Sequence, residues 1–341
     1  MISFECDYNN GAHPRLLQRL VETNGRQSLT YGFDEWSESA KAKIRQACNA
    51  PQADIFFLAG GTQTNAVVID GMLRHFQGVI AVETGHISIH EAGAIEFTGH
   101  KVITLPAHEG KMDADELEAY MHWFENDESR DHIAQPGMVY LTFPTEYGTL
   151  YSAAEIDRIY HICKAHGLLL FIDGARMGYG LTAEESDVTL SFIASHCDAF
   201  YIGGTKIGAL CGEAVVFPRG NAPKGFFSII KQHGALMAKG RLIGIQFDAL
   251  FTDNLYFDIS RHAIDMAMKM KSIFRERGYQ FYLDSPTNQQ FFIIHNDKVK
   301  ELEQQVIFTH WEPAGDEHTV CRFVTCWATT EDDLKVLEGI I

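Results

Sequence analysis

Short apolar runs alternate with amphipathic stretches through the first two-thirds of the chain. ADIFFLAG (53–60), GVIAVE (78–83), KVITLP (101–106), GMVYLTF (137–143), LLLFID (168–173), DAFYIGG (198–204) and EAVVF (213–217) each read as a buried strand. Most are separated by a helical pattern, as in GTQTNAVVIDGMLRHF (61–76) after the first run. Ser152 and Glu155 have the spacing of a capping box before IDRIYHICKAHG, which ends at Gly167. Continuous apolar strands separated by helices predict an α/β fold with a mainly parallel seven-stranded sheet, flanked by helices on both faces.

Beyond about residue 222 the pattern changes. PKGFFSIIKQHGALMAKGRLIGIQFDALFTDN reads as helical, and a long amphipathic helix is expected from Ile259 to Arg277. Two short strands, QQFFIIH (289–295) and TVCRFVTCWA (319–328), follow with a helix at each flank. The expected division is a large domain with an N-terminal arm over 1–240 and a small C-terminal α+β domain over 241–341. No low-complexity linker separates them, so they are expected to pack tightly. No internal repeat is visible.

Composition narrows the function classes. The 341 residues are 46% hydrophobic, enough to bury a large core. With 45 acidic and 28 basic residues the net charge is -17, which should repel nucleic acid and anionic membrane. Cysteines at 6, 48, 163, 197, 211, 321 and 326 are odd in number and form no CxxC pair, against a disulfide framework or structural zinc. The start, MISFECDYNN, lacks the features of a signal peptide, and no run approaches the ~18 apolar residues of a membrane span. A cytoplasmic, reduced protein is expected.

Three stretches carry chemistry. GGTQTN (60–65) sits where a strand gives way to a helix; its N–H groups and the Thr62 hydroxyl suit a phosphate monoester, though an ordinary βα turn fits too. In FIDGAR (171–176), Asp173 ends a buried strand and points to a ligand crevice, if it does not merely cap a turn. Lys206, in GGTKIGALCG (203–212), ends the next strand-like run. There it is either a solvent-facing turn residue or a desolvated amine with a lowered pKa, free to attack a carbonyl. Together, a phosphate cradle, a strand-end aspartate and a strand-end lysine are what pyridoxal 5'-phosphate requires. A zinc reading of HISIHE (86–91) is weaker, because His86, His90 and Glu91 do not form HExxH and no third ligand suggests itself.

In order and spacing these pieces resemble the fold-type I pyridoxal-phosphate enzymes. Within them the chain is similar to the L-threonine aldolase and aromatic amino-acid β-eliminating lyase family. The resemblance runs through YGFDEWS (31–37), GGTQTNA (60–66), GHISIHEAGA (85–94), FIDGAR, GGTKIGALCG and RFVTCWA (322–328). It implies that Lys206 holds the cofactor aldehyde, Asp173 pairs with the pyridine nitrogen, and Gly61 and Thr62 hold the phosphate with help from Thr205. His86 would stack on the ring near the substrate hydroxyl, and Arg176 would bond around cofactor or substrate. Arg322 would grip the α-carboxylate. Arg241 would reach a cofactor phosphate in the neighbouring subunit, and Tyr31 would face the partner's cofactor. Gly203, Gly204 and Gly208 would make room for the cofactor.

Two positions depart from the family pattern. Cys6, before Asp7, replaces a serine that contacts the substrate carboxylate. Glu146, in FPTEYGT (143–149), stands where aldolases carry a histidine. The resemblance implies cleavage of L-threonine or related β-hydroxy-α-amino acids to glycine and an aldehyde, with His86, Glu146 or a water between them as base. The alternatives are β-elimination on a β-substituted amino acid, with Lys206 as the Cα base, and, more remotely, a cofactor-fold protein that binds without turnover. A homodimer or homotetramer with shared active sites is implied as well.

Overall fold

The computed structural model describes residues 2–341. The seven apolar runs form one sheet. Its strands are β1 (Asp54–Leu58), β2 (Gln77–Val82), β3 (Val102–Leu105), β4 (Gln135–Thr142), β5 (Leu169–Asp173), β6 (Ala199–Gly203) and β7 (Glu213–Phe217). Across the sheet they lie in the order β1-β7-β6-β5-β4-β2-β3. Only β7 runs antiparallel, to both β1 and β6. Six strands therefore end, and β7 begins, on the same edge.

Both faces of the sheet are covered, as continuous apolar strands require. Ile172, Phe200, Ile202 and Val216 point into one apolar cluster. Their neighbours Phe171, Ala199, Tyr201 and Val215 point into a second, on the opposite face. Burying each large side chain contributes about 1.5–3 kcal/mol, so these strands are a principal source of stability.

The capping box at Ser152 and Glu155 forms, and the helix it starts runs Ala153–Ala165, before Gly167 at φ +67°. After residue 222 the expected helical stretch divides into two helices, Phe226–Gln232 and Arg241–Leu250. Gly234 lies between them at φ +67°, outside helical backbone space. The long amphipathic helix runs Leu255–Glu276, beginning one turn earlier than its apolar period suggested.

The C-terminal region carries β8 (Gln280–Phe281), β9 (Gln289–His295), β10 (Thr309–Pro313) and β11 (His318–Val324), in the order β10-β11-β9-β8. Its apolar cluster draws Met266, Met270 and Phe274 from the second half of the long helix, and Phe4 from the chain start. Ile259, Ala263 and Ile264, on the first half of that helix, pack beneath the large sheet. One helix thus enters both cores and fixes the C-terminal sheet relative to the strand ends.

Candidate active site

The turn between β6 and β7 is built on one carbonyl. Gly204 and Thr205 N–H both donate to Gly212 O, at 2.9 and 3.2 Å. Lys206 follows, at the wall of a cleft of about 310 Å³. Gly61, Thr62, His86, Glu146, Asp173, Arg176 and Thr205 line the same cleft. They lie far apart in sequence and meet because the parallel strands end on one edge. Burial pushes the Lys206 amine's pKa down, and the Arg176 charge adds to the effect.

Two glycines of this turn, Gly203 and Gly204, serve a different purpose from the one expected. A Cβ on Gly203 would fall 2.2 Å from Ala175 O, and one on Gly204 2.7 Å from Gly212 O. These residues let backbone meet backbone; they do not make room for a ligand. Open space lies instead at the start of the helix Gly61–Met72. A Cβ on Gly60 would meet nothing within 4 Å, and one on Gly61 only Tyr201 OH at 3.1 Å. No side chain caps this helix, so its first amides are free donors beside the cleft. The donor set and the open space fit a phosphate monoester.

Asp173, buried at the end of β5, has its carboxylate fixed by three donors. Tyr140 OH and Asn65 Nδ2 donate to Oδ2 at 2.6 and 2.9 Å, and Ala175 N–H donates to Oδ1 at 2.9 Å. The Tyr201 hydroxyl is a further donor to this carboxylate, and Asp173 lines the cleft, where it can meet a protonated ring nitrogen. The same Asn65 Nδ2 donates to Glu91 Oε1 at 2.7 Å. Glu91 Oε1 in turn lies 2.7 Å from His86 Nδ1. Since a carboxylate can only accept, this contact places a proton on Nδ1 and makes Nε2 the nitrogen with the lone pair in the uncharged tautomer.

Glu146 is buried, and that burial raises its pKa. Its Oε1 accepts from His86 N–H at 2.9 Å and from the Thr142 hydroxyl at 2.8 Å. Arg176 is committed to the N-terminal arm. Its Nε and Nη2 form a fork with Asp7 at 2.7 and 3.0 Å, and Asn288 Nδ2 adds a bond to Asp7 at 2.9 Å. The Thr205 hydroxyl also has a partner already, Glu213 Oε1 at 2.7 Å.

Four expected residues stand off the cleft wall. Arg322, on β11, is held by Gln289 Oε1 at 3.1 Å and Thr309 Oγ1 at 3.2 Å, with its guanidinium 4.9 Å from the Trp311 ring centroid. Its Nε is buried and has no partner. Burial and the Arg176 charge lower its pKa to about 10. Cys6 is buried close enough for the Arg322 charge to act on its thiol, whose pKa burial raises. Tyr31 is partly exposed at φ +60° and lies 5.0 Å from Lys231 Nζ. Arg241 donates to Arg26 O and Thr23 O and lies 4.3 Å from the Trp36 ring centroid, beside a different cavity.

Asn65, Tyr140 and Glu213 did not emerge from the sequence as site residues. Asn65 reads there as one polar position of a helix, and Tyr140 as one apolar position of a strand. Glu213 carried a usable signal, since an acid opening a run as apolar as EAVVF has to find a buried partner.

Residues 22–284 match the beta-eliminating lyase family. The low specificity L-threonine aldolase of a Pseudomonas species is 26% identical over 348 residues, covering 99% of this chain and 96% of its own. That of Pseudomonas aeruginosa is 30% identical over 263 residues, with coverages of 76% and 74%. The solved structure of Leishmania major threonine aldolase matches with a TM-score of 0.96 and 40% identity, over 100% of this chain and 98% of its own.

Proposed function

The chain belongs to the beta-eliminating lyase family, and we propose that it is a pyridoxal-phosphate-dependent carbon–carbon lyase. Its reaction is cleavage of L-threonine, or a related β-hydroxy-α-amino acid, to glycine and an aldehyde. The observation that carries this reading is the convergence of Lys206, Asp173 and the uncapped helix start at Gly61 on one cleft. The likeness to the Leishmania major threonine aldolase supports the choice of reaction.

Pyridoxal 5'-phosphate, when bound, supplies an aldehyde for an amine and a protonated ring that takes up the electron pair of the broken bond. Lys206 would hold that aldehyde, because burial favours its uncharged amine. Asp173, fixed by Tyr140 and Asn65, would keep the proton on the ring nitrogen. The amides of Gly61 and Thr62 would take the phosphate. Arg322 would take the substrate carboxylate and so orient the substrate. His86, Glu146 or a water between them removes the β-hydroxyl proton. The O–H pair becomes the aldehyde C=O, the Cα–Cβ pair stays with Cα, and a proton returned to Cα gives glycine.

A β-eliminating lyase is the second reading. It is favoured by the two donors already on Glu146 Oε1, which leave this carboxylate less free than a histidine to act on a substrate hydroxyl. Lys206 would then take the proton from Cα.

We place the protein in the cytoplasm as a symmetric dimer or tetramer with shared sites. Seven free cysteines support a reduced compartment. Among the described residues no helix is long and apolar enough to cross a membrane. Support for the assembly comes from the partly exposed Tyr31, Phe33 and Leu29, which form an outward-facing segment. The cofactor part is tested by adding pyridoxal 5'-phosphate to wild type and to Lys206→Ala. Only wild type should acquire the visible absorbance of a lysine-bound cofactor.

A further inference from the structure

Glu213 is a buried carboxylate that the reaction above does not use. It opens β7, the one antiparallel strand, and therefore stands among strand ends. In register it lies between Leu58 of β1 and Gly203 of β6. One side leads to the helix start at Gly61, the other to the turn of Lys206. Its Oε2 accepts the Gly204 N–H at 3.1 Å, and its Oε1 faces Thr205 Oγ1 at 2.7 Å. Thr205 Oγ1 also accepts the Gly212 N–H at 3.0 Å.

This arrangement sets a conflict. A hydroxyl has one proton. While Glu213 is ionised, that proton is held on the carboxylate and Thr205 has nothing to donate to an anion. An ionised Glu213 would also share the cleft with the entering phosphate, placing two like charges in one site. Both difficulties end if Glu213 carries a proton. The carboxyl then donates to Thr205 Oγ1, whose second lone pair is free for it, and the threonine hydroxyl turns to the ligand.

We propose that Glu213 is protonated when a phosphate monoester occupies the cleft, its proton passing to a hydrogen bond on Thr205 so that the Thr205 hydroxyl is released to the phosphate. The inference rests on the reading of the cleft as a pyridoxal-phosphate site. It makes cofactor capture a proton-linked event and gives Thr205 two settings.

The surroundings agree with a proton held at this point. Burial raises the Glu213 pKa to about 8, against the lowering effect of bonds from Thr205 and Gly204 and of the Lys206 charge. Asp173, on β5, raises it further. Tyr201 on β6, Tyr256 on the long helix and Cys211 in the preceding turn are its other titratable neighbours. Burial holds all three well towards their neutral forms. Below about pH 8 the acid form is already present, and above it phosphate binding has to draw in a proton.

The test uses pyridoxine 5'-phosphate, which has the ring and phosphate but no aldehyde, with pyridoxine as the phosphate-free control. Binding to the full chain freed of cofactor is followed calorimetrically at pH 7 and pH 9, in buffers of different ionisation enthalpy. The variants are Glu213→Gln, whose amide permanently imitates the protonated acid, Thr205→Val and Thr205→Ser. At pH 9 wild type should take up close to one proton more than Glu213→Gln, and at pH 7 the two should match. Wild-type affinity should fall by up to about tenfold per pH unit above pH 8, with no such fall in Glu213→Gln. Thr205→Val should lose about tenfold in affinity for the phosphate form only, and Thr205→Ser should behave as wild type. Equal proton uptake by wild type and Glu213→Gln at pH 9, or tenfold weaker binding by Glu213→Gln, overturns the inference. If pyridoxal 5'-phosphate still forms its lysine-bound band in that case, the cofactor reading stands without it. Failure of wild type to bind either phosphate overturns both.

Discussion

His86 and Glu146 meet through the backbone: the His86 N–H donates to Glu146 Oε1 at 2.9 Å. The imidazole itself turns the other way, towards Glu91. Glu146 therefore fixes where the His86 ring stands, while Glu91 fixes which ring nitrogen is basic. The Glu146 carboxylate is thus tied to the residue with which it would share the work.

Glu146 should act in its ionised form, as a proton acceptor or as the anchor of His86. Burial raises its pKa, so activity should rise with pH through a limb above the ordinary glutamate range. Glu146→Gln should lower kcat for aldol cleavage about a hundredfold and remove that limb. A pH–rate profile of both proteins checks this; an unchanged limb in Glu146→Gln would exclude Glu146 as its source.

Glu91→Gln tests the charge behind the histidine. Glu91 Oε1 accepts from both Asn65 Nδ2 and His86 Nδ1, so the glutamine oxygen keeps that place and only the negative charge beside the ring is lost. Activity should fall about tenfold with the fold intact. Nitrogen NMR of the imidazole should show the proton still on Nδ1.

Asp7 and Arg176 test the anchoring of the N-terminal arm. Burial alone would raise the Asp7 pKa, but Arg176 and Lys206 hold it below the usual value. Its contribution to stability is therefore full above about pH 4 and is lost as pH falls through the depressed value. Arg176→Leu leaves a buried charge unpaired and should cost about 3–5 kcal/mol at pH 7. The deficit should shrink in acid, where Asp7 becomes neutral. Denaturant unfolding at pH 7 and pH 3.5 measures both values.

Much of this architecture is legible in the chain. Strands such as DAFYIGG and EAVVF are apolar throughout because both faces of the sheet are covered, and that continuity makes them visible. Lys206, Asp173 and Gly61 stand out because each interrupts or ends such a run. The connections between them are not legible. Asn65 joins Asp173 to Glu91 across the interior, at separations of 108 and 26 residues, and no local pattern encodes such a meeting. The division of the helical stretch near Gly234 is hidden because the flanking apolar period continues on both sides. The role of Gly203 and Gly204 is hidden because sequence shows that a side chain is missing, not what fills its place.

Tyr31 holds a left-handed backbone that a bulky residue adopts at a cost of roughly 1–3 kcal/mol. If it is retained to reach a partner's site, Tyr31→Gly should raise the unfolding midpoint while lowering activity. Thermal unfolding and steady-state rates on the same preparation separate the two effects. A gain in stability with full activity would remove Tyr31 from the site.

The central claim is that this cleft breaks the Cα–Cβ bond. Product analysis of the cofactor-loaded protein with L-threonine and L-allo-threonine tests it most directly. Glycine and acetaldehyde should appear in equal amounts from at least one of the two, and neither should form with Lys206→Ala. Release of a 2-oxo acid and ammonia without glycine would contradict the account and assign the cleft to β-elimination.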